Sequence, residues 1–322
     1  MAVYTQVSFD EANFLLERLQ LGKLHSMEAC SGGIENTNYF VTTDLGAYVL
    51  TLFERLSARQ LPFYLRLMKH LAQCGIPVPE PAADASGELM FTLNSKPATV
   101  VNRLRGKSEL TPGPLHCASV GAWLAKMHLA GESFDLHQPN LRGLHWWNET
   151  VPVILPFLQT SQQSLIQSEL AYQNHIAESS IFAALPLGPI HADLFRDNVM
   201  FAPAPNAGDD AFDMTGFFDF YFAGIDTWVF DLAVCLNDWC VDLATGAPDT
   251  ARAQAFVDAY ETVRPLKAAE RKAVPAMLRA AALRFWISRL WDLHLPREAS
   301  VLTAHDPTHF ERVLRQRLLF AA

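Results

Sequence analysis

Apolar residues recur at two different spacings along the chain. Near the N-terminus, Ser8 and Glu11 form a capping box, and Phe14, Leu15 and Leu19 recur at helical spacing behind it. β-rich runs of apolar and β-branched residues follow this predicted helix, and they cover residues 39–43, 48–53, 89–93 and 98–102. The first part of the chain therefore predicts one helix and a small antiparallel sheet.

Helical spacing dominates the rest of the chain. Four helices are predicted with defined ends: Leu61 to Cys74 with Pro62 in the first turn, Pro114 to Gly131, Val229 to Val241, and Ala276 to Leu295 after Pro275. One or two further helices are predicted within residues 150–185. Trp146 and Trp147 are assigned to a loop between them. The pattern predicts an α+β protein with two lobes, a small antiparallel-sheet lobe at 1–102 and a larger, mainly helical lobe at 103–322.

Composition excludes several classes of function. Half of the 322 residues are hydrophobic and 18% are charged, which argues against disorder. The net charge of −9 argues against nucleic acid or an acidic membrane surface as a partner. No apolar run approaches the roughly 18 residues that span a membrane. Five scattered cysteines and a start without signal-peptide features predict a reduced, cytoplasmic compartment.

The densest group of reactive residues lies between His191 and Asp219. Asp193 follows His191 by two positions, Asn198 follows Asp193 by five, and Asp219 stands between phenylalanines about twenty positions on. Kinases hold their phosphoryl-transfer groups at this spacing. Short apolar runs at 199–201 and 215–218 flank a turn-rich segment, and a hairpin there would bring Asn198 beside Asp219. We therefore predict that Asp193 is the catalytic base and that Asn198 and Asp219 bind Mg²⁺.

A glycine-containing segment precedes the predicted hairpin of the first lobe. Its small and polar residues could bring backbone amides and side-chain donors close to nucleotide phosphates, and they are Ser31, Gly32, Gly33, Asn36 and Asn38. The end of the small sheet, at Asn102 and Leu104, is the predicted hinge whose backbone reads the adenine edge. Together these residues form the predicted nucleotide site.

The motifs resemble those of the aminoglycoside phosphotransferase and choline kinase branch of the protein-kinase-like fold. That branch has a His-x-Asp-x-x-x-x-Asn loop, an apolar-Asp-aromatic metal motif and an Asp-(Leu/Ile)-Ala, which here begins at Asp231. Within it, the longer phrases at 31–38, 191–199 and 237–240 resemble the homoserine kinases, and the resemblance covers nearly the whole chain. It implies ATP and Mg²⁺ as cofactors, phosphorylation of the side-chain hydroxyl of L-homoserine in threonine biosynthesis, and a structural role for Asp231 at the amides of the catalytic loop.

The chain departs from the kinase pattern at one position. Most kinases carry a phosphate-binding lysine on the strand after the glycine loop, and Thr51 stands at that position here. The helix at 61–74 also contains no acid that could pair with such a lysine. We expect Mg²⁺ and loop amides to hold the phosphates instead.

A homoserine pocket needs a cation for the carboxylate and oxygens for the ammonium group. Candidates for the cation are Arg196 and Arg289, and candidates for the oxygens are Asp197 and Asp238, with Asn237 beside the latter. Structural roles for Arg289, Asn237 and Asp238 stay open. So do other acceptors, namely choline, a sugar or an aminoglycoside, and a nucleotide-binding pseudokinase that acts as a scaffold.

Overall fold

The computed structural model describes residues 4–30, 36–204, 211–295 and 305–319. The chain folds into two compact units. The first comprises Met1–Gly106 and Thr215–Phe218, and the second comprises Lys107–Met214 and Asp219–Ala322. The main segment of the first unit thus ends four residues after the predicted boundary at 102, and the strand before Asp219 contributes to it.

The first unit is built on an antiparallel sheet. In chain order its elements are α1 (Phe9–Arg18), β1 (Leu24–Ala29), β2 (Asn36–Thr43), β3 (Ala47–Phe53), α2 (Leu61–Gln73), β4 (Phe91–Leu93) and β5 (Lys96–Asn102). The sheet order is β1-β2-β3-β5-β4, with every neighbouring pair antiparallel. The predicted small antiparallel sheet is confirmed, including the hairpin in which Tyr39 lies opposite Leu50.

Helix α1 packs on this sheet through a stripe that the sequence pattern located only in part. Ser8 and Glu11 form the predicted capping box. Ala12, Leu15 and Leu19 are buried in the core of the unit. Phe14, however, is 72% exposed, so its assignment to the apolar face was wrong. Its position is turned away from the stripe, because successive helix residues point about 100° apart.

The described part of the second unit is mainly helical. The remaining elements are α3 (Pro114–Gly131), α4 (Leu144–Ile154), α5 (Thr160–Ala177), α6 (Ser180–Ala183), β6 (Leu187–Ile190), β7 (Val199–Pro203), β8 (Phe212–Phe217), β9 (Gly224–Thr227), α7 (Trp228–Trp239), α8 (Thr250–Val263), α9 (Ala268–His294) and α10 (Thr308–Leu319). Of these, only β8 from Thr215 onward belongs to the first unit. Strand β6 pairs with β9, and β7 pairs with β8 as the predicted hairpin. None of the described helices has the length and apolar character needed to cross a membrane.

Two sequence predictions for this unit were wrong. Trp146 and Trp147 lie inside α4 rather than in a loop, and the Trp147 indole N–H donates to the carbonyl of Arg142 at 2.6 Å. Helix α9 begins at Ala268, two turns before Pro275, so this proline lies inside the helix. The earlier start is capped by the Glu270 carboxylate, which accepts a hydrogen bond from the Lys267 amide at 2.9 Å.

Helix α7 lies at the centre of the second unit. All twelve of its residues are buried, and it packs against α9. Helix α3 packs closely against α8, where Gly121 lies so near that an added Cβ would stand 2.2 Å from the Phe256 carbonyl oxygen. This glycine therefore sets the spacing between α3 and α8.

We expect Gly121→Ala to lower the free energy of unfolding by about 1–3 kcal/mol, because a backbone carbonyl cannot yield without shifting α8. Urea unfolding checks this. Ser119→Ala, a small change at a half-buried position on the same helix, is the control and should be close to neutral. Equal stability of Gly121→Ala and the wild type would contradict the close helix contact.

Candidate active site

The predicted catalytic loop leaves β6 through a strained turn. Ala192 has a left-handed backbone with φ of 64°, and the loop then passes through one 3₁₀ turn, Arg196–Asn198, into β7. An alanine in this conformation costs roughly 1–2 kcal/mol. Surrounding contacts must therefore impose the turn, and such strain concentrates at functional sites.

One face of helix α7 holds the backbone of this loop. The four side chains involved stand at spacings of four, seven and eight along the helix, which places them on one side. Their contacts run from Asp231 to the amides of His191 and Ala192, from Cys235 and Trp239 to the carbonyl of Leu194, and from Asp238 to the amide of Arg196. The helix thus fixes the loop on both sides of Asp193.

Asp231 makes the strongest of these contacts. Its two carboxylate oxygens accept from the amides of His191 and Ala192, each at 2.8 Å, and His128 Nε2 lies 3.1 Å from Oδ2. Burial alone would raise the pKa of Asp231, but the hydrogen bonds from His128 and the His191 amide outweigh it and hold the pKa below its ordinary value. Asp231 is therefore an ionised structural residue, which confirms the role that the family resemblance implied.

A buried chain of polar residues supports Asp231 from behind. Because ionised Asp231 only accepts, Nε2 of His128 carries the proton, and Nδ1 accepts from the Tyr260 hydroxyl at 2.8 Å. Tyr260 in turn accepts from Arg264 at 3.1 Å, and Arg264 donates to Glu270 at 2.9 Å. His128 is thus part of a hydrogen-bonded network that also contains Tyr260, Arg264 and Glu270.

Asp193 lies between the loop residues whose backbone α7 binds. Asn198 Nδ2 donates to its carbonyl oxygen at 2.9 Å. Burial raises the pKa of the Asp193 carboxyl well above its ordinary value; Arg284 opposes this rise, while the charges of Asp219, Asp197 and Asp238 add to it. A carboxylate with a raised pKa is a better proton acceptor than an ordinary one, which suits a general base.

Asp219 is the second carboxylate of the site. It follows β8 with a left-handed backbone at φ of 70°, and its charge contributes to the raised pKa of Asp193, so both carboxylates act on one region. Asn198 uses its NH₂ on the loop carbonyl, and its amide oxygen is the end suited to a cation. One carboxylate and one amide oxygen fit Mg²⁺, which takes few protein ligands and completes its shell with water and phosphates.

Arg196 and Asp238 were predicted to bind opposite ends of the acceptor, but they bind each other. Arg196 Nε lies 3.1 Å from Asp238 Oδ2, its Nη2 contacts the Asp238 carbonyl, and its Nη1 donates to the Leu110 carbonyl at 3.0 Å. Both side chains are about nine-tenths buried. This geometry favours a structural role, since their charges neutralise each other inside the protein.

The other predicted acceptor residues differ in position. Asn237 is fully buried and links the Leu278 carbonyl of α9, at 2.7 Å, to Arg317 of α10, at 2.9 Å, so it too has structural partners. Asp197 is exposed on the 3₁₀ turn. Arg289 donates to the Asp306 carbonyl at 2.9 Å and lies over the ring of Phe310. Acceptor binding by these three residues stays a prediction.

Arg284 on α9 is a residue of this site that sequence reasoning missed. It is 3% exposed, and its charge is the strongest influence that lowers the pKa of Asp193. Its Nε and Nη2 atoms have no hydrogen-bond partner within the described ranges. The sequence did carry a signal, because Arg284 is the only charged residue between Ala280 and Ile287.

Three of the predicted nucleotide residues, Ser31, Gly32 and Gly33, lie outside the described residues. The other four belong to the first unit. Asn38 accepts from Thr51 Oγ1 at 2.7 Å across the β2–β3 hairpin, so the threonine in the lysine position orients a predicted nucleotide residue. Asn36 begins β2. Asn102 accepts from the Glu80 amide at 2.6 Å, and Leu104 follows β5. Nucleotide binding by all of these residues stays a prediction.

Known proteins resemble this chain over nearly its whole length. Residues 26–266 match the phosphotransferase enzyme family. A homoserine kinase from Polaromonas naphthalenivorans is 64% identical over 99% of this chain and 98% of its own length. A homoserine kinase from Paraburkholderia xenovorans is 56% identical over 99% and 96% of the two chains, respectively.

Solved structures share the fold at low sequence identity. An amicoumacin kinase, in complex with AMP-PNP, Ca²⁺ and amicoumacin, has a TM-score of 0.66 at 16% identity over 95% of this chain and 91% of its own. A choline kinase from Cryptosporidium parvum has a TM-score of 0.63 at 14% identity over 92% and 90% of the two chains. The two-lobed kinase-like fold class predicted from the sequence is thereby confirmed.

We expect Asp238→Ala to lower the free energy of unfolding by about 3–5 kcal/mol, because it leaves Arg196 buried without its carboxylate. The double variant Arg196→Met/Asp238→Leu should recover part of this loss, since it removes the buried charge but still leaves the Arg196 amide without its acceptor. Glu149→Ala, which breaks an exposed pair with His145, should cost less than about 1 kcal/mol. Urea unfolding measures all three. Unchanged stability in Asp238→Ala would instead favour the original acceptor role.

We expect Asp193→Asn to raise the melting temperature by a few degrees at neutral pH. An acid whose pKa is higher in the folded than in the unfolded state loses stability as the pH rises between those two values. The neutral amide avoids this loss, so the difference should vanish once the pH falls below the ordinary aspartate range. Calorimetry across pH checks this, and a lower melting temperature of the variant at neutral pH would contradict it.

Proposed function

Since the chain belongs to the phosphotransferase enzyme family, we propose that it transfers the γ-phosphoryl group of ATP to the side-chain hydroxyl of L-homoserine. The observation that carries the proposal is the combination of close, full-length homoserine kinase relatives with an Asp193 held in place for base catalysis. The product is O-phospho-L-homoserine, an intermediate of threonine biosynthesis.

Asp193 acts on the acceptor hydroxyl. One carboxylate oxygen accepts the hydroxyl proton while the hydroxyl oxygen forms a bond to the γ-phosphorus, and the bond from that phosphorus to the bridging oxygen of ADP breaks. The raised pKa of Asp193 supports this role, because the carboxylate then competes better for the proton. The hydrogen bonds from α7 to the loop backbone supply the fixed orientation that such a transfer needs.

Asn198 and Asp219 hold the metal in this proposal, and the segment at 31–38 covers the phosphates. Bound Mg²⁺ would offset the negative charge of the phosphate oxygens during transfer. Thr51 replaces the usual lysine and bonds to Asn38. The phosphates are therefore held by the metal and by loop donors, with no lysine contribution from β3.

The charges around Asp193 are of both signs. Arg284 and Arg289 are the cations that act on it from α9, and Asp219, Asp197 and Asp238 are the anions that act on it. Such a mixture suits an acceptor that carries both a carboxylate and an ammonium group, whereas choline and an aminoglycoside carry no carboxylate for the arginines. Location in the cytoplasm stays a prediction from the composition.

An acceptor panel tests the proposal. We expect Mg²⁺-dependent ADP release by the purified protein to rise with L-homoserine and to stay at background with choline or kanamycin. Mass spectrometry should detect phosphohomoserine. ADP release with choline but not with homoserine would leave a kinase with a different substrate, and Mg²⁺-ATP binding with no turnover on any acceptor would favour a pseudokinase.

Two variants of the same assay test the residue roles. Asp193→Asn should lower turnover roughly 10²–10⁴-fold with nucleotide affinity unchanged, the usual range for a positioned base. Asp219→Ala should instead weaken Mg²⁺-ATP binding in calorimetry. Asp258→Asn, an exposed aspartate of α8, is the matched control and should keep full activity. Near wild-type turnover of Asp193→Asn would refute the assignment of the base.

A further inference from the structure

We propose that Arg284 binds the carboxylate of the acceptor and makes the site selective for acceptors that carry an acid group. The proposal rests on the proposed function, because the reaction supplies the acceptor. In this proposal Arg284 takes the carboxylate-binding role that the sequence had suggested for Arg196. The Arg196 guanidinium is bound to Asp238 instead.

The first observation is a buried cation with unused hydrogen-bond donors. Arg284 is 3% exposed, and its Nε and Nη2 atoms have no partner among the residues that the structure describes. Burial lowers its pKa to about 10, with Asp193 opposing the change, so the guanidinium is still charged at neutral pH. A buried charge whose hydrogen bonds are incomplete is costly, which indicates that a ligand supplies acceptors for these two nitrogens.

The second observation is the way its neighbours hold it. The guanidinium carbon lies 3.7 Å from the ring centre of Phe285 and 5.0 Å from that of Phe222. Aromatic rings stabilise the cation without accepting its hydrogen bonds in the way that an oxygen does. The N–H groups of Arg284 thus stay suited to a planar, bidentate partner, and a carboxylate is such a partner.

The third observation is the set of charges that act on Arg284. Arg142 and Arg289 act on it as neighbouring cations, whereas Asp193 and Asp292 are the anions that act on it. Arg289 has its own partners in Asp306 and Phe310. Because the reaction uses Asp193 for the hydroxyl, an acceptor carboxylate would give Arg284 a further anionic partner.

The short length of homoserine keeps its carboxylate close to the base. The carboxylate carbon lies about 5 Å from the hydroxyl oxygen, the length of a short zigzag of single bonds. Arg284 is the cation with the largest effect on the pKa of Asp193, which makes it the candidate cation for a carboxylate this close to the bound hydroxyl. A nucleotide phosphate is the other anion that could bind Arg284, and the experiment below separates the two.

The test compares two acceptors in two enzymes. L-homoserine and 3-amino-1-propanol differ only in the carboxylate. We expect the wild type to prefer homoserine by roughly 10²–10³-fold in kcat/KM, since the amino alcohol leaves Arg284 unpaired. In Arg284→Met this preference should fall to within about tenfold, while KM for ATP stays the same. Arg284→Lys, which keeps the charge but not the bidentate geometry, should lie between them.

Acceptor preference is a sharper measure than activity alone, because a general loss of activity lowers turnover for both acceptors alike and cancels in their ratio. Arg271→Met, at an exposed position of the same helix, is the control and should keep the full preference.

Different results overturn different claims. An unchanged preference in Arg284→Met, with homoserine still phosphorylated, would overturn the role of Arg284 alone. A raised KM for ATP with unchanged preference would show that the guanidinium binds a nucleotide phosphate, and it would also overturn the role of Arg284 in acceptor binding. Equal losses for both acceptors with a lower melting temperature would make Arg284 merely structural. A wild type that phosphorylates only the amino alcohol would overturn both the proposed function and this inference.

Discussion

The predicted catalytic loop depends on the hydrogen bonds by which α7 holds its backbone. The strained turn at Ala192 is held by the buried carboxylate of Asp231, which binds the amides of His191 and of Ala192 itself. A charged acceptor strengthens such bonds, each worth about 1.5–3 kcal/mol in mutational series, and together they exceed the cost of one left-handed alanine. These contacts position Asp193 through the backbone of the loop.

The same helix face shows how buried charges can be organised without a ligand. Asp231 is satisfied by amides and by His128, and Asp238 is satisfied by Arg196. Each has hydrogen-bond donors that match its oxygens, which is the condition under which buried carboxylates are tolerated. Arg284 differs from both, because its neighbours are aromatic rings and its hydrogen bonds are not completed by the described residues. That contrast separates residues that maintain the fold from one suited to bind a substrate.

Much of this could be predicted from the sequence, and the failures have physical causes. Local signals located the sheet, the hairpin before Asp219 and the apolar α7, since each follows from periodicity and turn residues. Phe14 was misjudged because it points away from the stripe formed by Ala12, Leu15 and Leu19. Pro275 was misjudged because the cap at Glu270 lets α9 begin two turns before it. The partner of Arg196 could not be predicted, because a charge in a loop carries no local sign of its partner, and this partner, Asp238, lies 42 positions away.

The arrangement of charges also links stability to activity. The surroundings of Asp193 oppose its ionisation, which would suit the proposed base and makes the folded state less stable at neutral pH. Arg284 has the same character, since two of its buried nitrogens find no acceptor among the described residues and this costs stability until an anion binds. Each group partly offsets the cost of the other through their mutual attraction. Acceptor binding would then satisfy both at once, with the hydroxyl at Asp193 and the carboxylate at Arg284. A site built in this way gains affinity only from a ligand that carries both groups at the right separation, and such selectivity is what a zwitterionic hydroxy amino acid requires.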